Sequence, residues 1–222
     1  MKINADLGER ALVDSNGMDW VASPERGVER KMLDRDGGEV ARATTIVRFA
    51  PGSYFSAHGH GGGEELFVLE GVFSDEYGDY PAGTYLRNPI GSTHTPFSEG
   101  GCTLLVKLCQ MSDAAESRLA VDSNAGDWQP GRVPGLERLA LFTSESSGES
   151  VALVRFAPGT SLKDDVHDGG EELLVLQGVL EDQYGRYPAG TWLRQPDGSS
   201  HEPFSSEGCT LWVKRGHLPS TG

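Results

Sequence analysis

An all-β chain built twice over is predicted by three observations: a close internal repeat, short apolar segments of strand length, and the glycines and prolines that separate them. The run VRFAPG stands at 47–52 and again at 154–159, and GGEEL, YPAGT, PFS and GCTL recur at the same displacement of 107. Over 44–107 and 151–214, about 39 of 64 ungapped pairs are identical, which marks a duplication rather than chance. Earlier segments match at a displacement of 108: VDSN at 13–16 and 121–124, then Asp19-Trp20 and Asp127-Trp128. One residue has therefore been gained or lost between Lys31 and Thr44. The repeats meet near Met111, giving a first domain over 1–111 and a second over 112–222, with polar, small residues at 112–116 as the linker.

Within a repeat the elements read as strands in order. Residues 44–49 end at the Pro51-Gly52 turn, 65–69 end at Gly71, 83–87 end before Pro89, and 102–108 form a last apolar strand. No stretch sustains a helical apolar face. Short segments punctuated in this way make a sandwich or barrel, and 30 Gly with 12 Pro supply the turns.

Charge and composition exclude other classes. A net charge of −14 with no run of Lys or Arg argues against nucleic-acid binding, which needs a basic patch. No apolar run approaches the roughly 20 residues that span a bilayer, and the first residues contain no signal-peptide core, so no membrane partner and a soluble, cytoplasmic chain are expected. The cysteines, Cys102, Cys109 and Cys209, are odd in number and form no CxxC pair; Cys102 and Cys209 read as buried thiols within matching strands.

The chemistry lies in histidines. Side chains alternate along a strand, so His58 and His60 leave the same face and can reach one ion. Glu64 follows at the start of the next strand, and His94 comes after the tight segment 89–93 as a fourth donor.

These residues resemble the cupin superfamily. Its first motif, G, five residues, HxH, three residues, E, six residues, G, is matched by Gly52, His58, His60, Glu64 and Gly71; the second, G, five residues, PxG, two residues, H, by Gly83, Pro89, Gly91 and His94. Where the family often has Asn four residues after that His, this chain has Ser98. The second repeat carries Gly159, Asp165, His167, Glu171 and Gly178, then Gly190, Pro196, Gly198 and His201. Asp165 replaces the first His, so the resemblance implies either an altered metal site of Asp165, His167, Glu171 and His201 or a structural half. It also implies two tandem jelly-roll (double-stranded β-helix) barrels and one divalent metal per occupied barrel, zinc foremost, with Fe(II), Mn and Ni also compatible with such ligands.

Other residues are read more plainly. Glu65 and Glu172 alternate away from the metal, as surface or supporting groups. Tyr77 and Tyr80, with Tyr184 and Tyr187, are read as packing, Trp20 and Trp128 as plugs at the barrel ends, Phe97 and Phe204 as pocket-lining candidates, and His217 as solvated.

Within the superfamily, the GGxEE run, the YPAG turn and the long insertion before the second motif resemble the ChrR-like cupins, named for the C-terminal domain of a bacterial anti-sigma factor. That protein holds its sigma factor through a separate N-terminal helical domain; here the first repeat starts at once and no HxxxCxxC occurs, so sigma-factor binding is not expected. Two functions follow from the resemblance: a metal-binding or sensing module linked to regulation that takes a small ligand, or a mononuclear non-haem metal enzyme of dioxygenase type acting on small ketones or diketones. Tyr85 and Arg87 are the candidates for proton transfer if their strand turns them inwards. A monomer or a homodimer fits either function.

Overall fold

The computed structural model describes residues 1–111 and 117–220, and the expected linker at 112–116 lies outside them. Among the described residues the regular elements are strands and two three-residue 3-10 turns, Ser15–Gly17 and Ser123–Ala125. The all-β expectation holds for both halves. The chain forms two compact units, one of Met1–Ala5 with Met18–Ala125, the other of Asp6–Gly17 with Gly126–Gly222.

In the first unit the main antiparallel sheet runs in the order Lys2–Ile3, Val28–Gly37, Ala41–Phe49, Cys102–Leu108, Glu64–Asp75, Thr84–Asn88, Leu119–Asp122. Alternate side chains of these strands fill one core: Phe49, Leu66, Val68, Phe73, Leu86 and Leu104. Burying each such side chain contributes roughly 1.5–3 kcal/mol. The strand expected to stop at Gly71 continues to Asp75. Gly71 is a pivot rather than an end: its φ is 73°, and a Cβ there would collide with the Gly101 carbonyl. Past this bend the strand turns to pair with Gly78–Pro81.

The second unit repeats the plan with Gln129–Pro130, Leu136–Thr143, Ser150–Phe156, Cys209–Arg215, Glu171–Asp182, Thr191–Gln195 and Ala11–Asp14. Its core gathers Phe156, Leu173, Val175, Leu180, Leu193 and Leu211.

The folded units exchange their opening strands relative to the sequence repeats. Leu119–Asp122, from the second repeat, closes the first unit's sheet beside Thr84–Asn88, while Ala11–Asp14 closes the second beside Thr191–Gln195. The repeated VDSN is the docking device. Ser123 Oγ donates to the Gly83 carbonyl at 2.6 Å and Asn124 Nδ2 to the Ala82 carbonyl at 2.8 Å. Ser15 and Asn16 make the same bonds to Gly190 and Ala189. Each arm thus reads the YPAG turn of the unit it joins.

Candidate metal centre

Two short strands at the mouth of the first barrel, His58–Gly59 and Thr93–His94, pair so that His94 lies opposite His58. The His60 backbone N–H donates to the Ser92 carbonyl at 2.9 Å, which carries the pairing one residue further and brings in the third ring. Ring centroids of the three histidines are 4.7–5.0 Å apart. One donor atom from each of His58, His60, Glu64 and His94 falls within 4.8 Å of the others. Glu64 Oε2 lies 3.4 Å from His94 Nε2 and 3.7 Å from His60 Nε2. Two donors each about 2.1 Å from one ion at a tetrahedral angle would be about 3.4 Å apart, so the set fits a single divalent cation. Among the described residues the buried Nε2 atoms of His60 and His94 have no hydrogen-bond partner, an arrangement that costs free energy unless something accepts their lone pairs.

The remaining ring nitrogens are fixed from behind, as metal-binding imidazoles require. His58 Nδ1 meets the Ser56 carbonyl at 2.9 Å and His94 Nδ1 meets Asp75 Oδ2 at 3.3 Å, leaving Nε2 of each ring for the site. Burial holds the His60 pKa below its usual value, keeping the ring neutral and able to ligate. Burial also works against a charged His94, but the Asp75 hydrogen bond and the nearby Glu64 charge outweigh it, and that pKa is raised. Asp75 is itself buried; its pKa is nonetheless lowered by His94, the Tyr77 N–H and the Arg118 charge. Asn88 Nδ2 donates to Glu64 Oε2 at 2.9 Å. Arg118 ties the two supports together, donating to Asp75 Oδ2 at 2.7 Å and to Asn88 Oδ1 at 3.1 Å. Sequence reasoning missed Asp75, Asn88 and Arg118. Only their recurrence as Asp182, Gln195 and Arg10 could have pointed to them.

In the second barrel Asp165, His167 and His201 bring donor atoms within 4.8 Å, and Glu171 is not in that group. Glu171 Oε1 remains 3.7–3.8 Å from the two imidazole Nε2 atoms, but its Oε2 accepts from Arg215 Nε at 2.6 Å. The same guanidinium pairs with Asp165, and Arg132 pairs with it too. Burial opposes a charged Asp165, yet His167, Arg215 and Arg132 hold its carboxyl far below the usual range. Burial likewise opposes the Arg215 charge, and the two carboxylates overcome it and raise that pKa. Leu108 stands at the matching position of the first barrel, packed against its core.

Several expectations change. Glu65 is buried, not at the surface, and accepts from the Tyr85 hydroxyl at 2.8 Å and more distantly from Arg87 at 3.5 Å. Tyr85 and Arg87 pair across the sheet with Phe67 and Glu65, on the strand face opposite Glu64, so neither turns towards the ligand set. His217 is not solvated: its side chain is enclosed and Nε2 lies 3.2 Å from Glu172. Trp20 and Trp128 do not plug the barrels; they are half-buried and stack beneath Arg48 and Arg155. Phe204 is exposed and does not line the second barrel's cavity. Tyr80 and Tyr187 are buried, whereas Tyr77 and Tyr184 are exposed, with Arg118 and Arg10 over their rings. Cys102 and Cys209 are buried free thiols, pushed up to about 11 by burial.

Among the described residues no helix is long and apolar enough to cross a membrane. No curated protein matches the chain. Among solved structures it is similar to protein YlbA from E. coli at 16% identity, with a TM-score of 0.74 over 98% of this chain and 95% of that one. It is also similar to the bacterial pirin YhhW from Escherichia coli, solved with nickel(II), at 12% identity and a TM-score of 0.68 over 95% and 100% of the two chains. A variant of the oxalate decarboxylase OxdC from Bacillus subtilis aligns at 12% identity and a TM-score of 0.67 over 95% of this chain and 78% of that one. At these identities the likeness is one of fold. The family model described as the ChrR cupin-like domain matches residues 8–112 and again 116–219, and the chain belongs to that family.

Proposed function

We propose that the protein is a metal-binding cupin whose first barrel holds one divalent cation through His58, His60, Glu64 and His94, and that it acts as a binding or sensing module for a small ligand. The observation that carries this reading is the convergence of four donors with two buried imidazole nitrogens that have no hydrogen-bond partner among the described residues. The nickel bound by pirin YhhW on the same fold supports it. Three imidazoles and one carboxylate suit zinc, iron, manganese and nickel alike. A bound cation would supply Lewis acidity to an oxygen ligand entering beside it, while this chain's residues orient the ligand set through Asp75 and Asn88.

The enzyme reading draws support from the oxalate decarboxylase among the structural neighbours. It is disfavoured by Tyr85 and Arg87, which bond to Glu65 instead of facing the site. Thermal melts of the full chain with chelator, and after zinc is restored, test the binding claim. A metal in thousandfold excess over its Kd stabilises by about 4 kcal/mol, so superimposable melts would reject it. Oxygen uptake by the Fe(II)-loaded protein with small ketones would overturn the module reading in favour of the enzyme.

A further inference from the structure

Beneath the carboxylates of the second barrel lies a cavity of about 220 Å³, smaller than the roughly 300–1,000 Å³ of pockets for drug-sized ligands. Its wall is apolar, with Phe156, Leu173, Leu180 and Leu211 among the lining side chains. Its charged lining consists of Arg132, Arg138 and Arg215 against Asp165 and Glu171.

Arg215 bridges both carboxylates, so a permanent cation already stands where a metal would draw on them. A guanidinium does not deprotonate in a protein, and a divalent ion beside it would meet repulsion in a half-buried site. The first barrel has Leu108 at this position, and among the described residues Glu64 is met by His60, His94 and Asn88 rather than by a guanidinium.

Arg138 makes the second difference. It pairs across the sheet with Val154 just as Arg30 pairs with Val47. Arg30 is neutralised by Glu39, which accepts from both terminal guanidinium nitrogens, Nη1 and Nη2. Among the described residues Arg138 has no hydrogen bond or ion pair. It is exposed at the cavity's edge, as is Arg132. Three guanidiniums against two carboxylates leave the lining one positive charge in excess.

We propose that the second barrel is a metal-free pocket for a small monocarboxylate, whose anion is received by Arg138 at the mouth and whose short apolar chain lies on the leucines beneath. One excess charge matches a single carboxylate better than a phosphate dianion, and the apolar wall requires a hydrocarbon body. Guanidinium and carboxylate also meet in a two-point geometry that a simple cation lacks.

The test is calorimetric titration of the full chain, kept in chelator, with hexanoate, hexan-1-ol and hexylammonium, on wild type and on Arg138→Gln. Arg138 is exposed and unpaired, so this variant should melt as wild type does. The expected result is one hexanoate bound per chain, with hexan-1-ol, hexylammonium and the variant each weaker by roughly tenfold or more, the worth of one charge-assisted hydrogen bond. Absence of binding at millimolar hexanoate, equal affinity for the alcohol, or unchanged affinity in Arg138→Gln would overturn the proposal. Chelator removes any contribution from the first barrel's cation, so failure here leaves the metal reading of that barrel standing.

Discussion

Arg118 Nη2 and Asp75 Oδ2 meet at 2.7 Å, joining an arm that belongs by sequence to the second repeat to the carboxylate that orients His94 in the first barrel. The same arginine reaches Asn88, and through it Glu64. Two of the four candidate donors, His94 and Glu64, are therefore supported by a residue more than twenty positions further along the chain than any of the four. Removing an outer partner of a metal ligand typically costs 10–100-fold in affinity. Arg118→Ala is expected to weaken metal binding within that range in competition with a chromophoric chelator. Wild-type affinity in the variant would show that the arm only closes the sheet.

Asp165 gives the second barrel a pH signature. A carboxyl with a depressed folded pKa contributes stability above its unfolded value near 3.9, and that contribution is lost as pH falls through the folded value. Asp165→Asn abolishes this linkage. Urea unfolding should show wild type ahead of the variant by most at pH 7, with the gap narrowing as pH drops below about 4. A gap that stays constant over that range would contradict the ion-pair assignment.

The motif glycines separate two effects. Gly71 and Gly91 both have positive φ, but only at Gly71 does a Cβ meet backbone; at Gly91 nothing lies within 4 Å. Gly91→Ala should cost about 1–2 kcal/mol from left-handed strain alone. Gly71→Ala adds a collision with the Gly101 carbonyl and should cost clearly more in the same denaturation assay. Equal costs would mean that the pivot relaxes freely.

Much of this molecule was legible in the sequence because its signals are local. Alternation and Pro-Gly punctuation mark the strands, and the intervals from Gly52 to Gly71 and from Gly83 to His94 bring the four donors together. The exchange of opening strands was not, since VDSN recurs at a displacement of 108 whichever unit it docks on; only its hydrogen bonds to the YPAG turn decide. Arg215 escaped notice for a related reason: it stands in an apolar strand pattern where its counterpart is Leu108, and nothing in the pattern shows that its guanidinium returns to Asp165. His217 lies outside the repeat, and only its approach to Glu172 in the fold reveals that it is buried.

Elemental analysis of the untagged full chain tests the metal account most directly, comparing wild type with His60→Ala, His94→Ala and Asp165→Ala after equilibration with zinc and gel filtration. One ion per chain is expected in wild type and in Asp165→Ala, and far less in either histidine variant. A wild-type protein that emerges without metal, or histidine variants that retain as much as wild type, would contradict it.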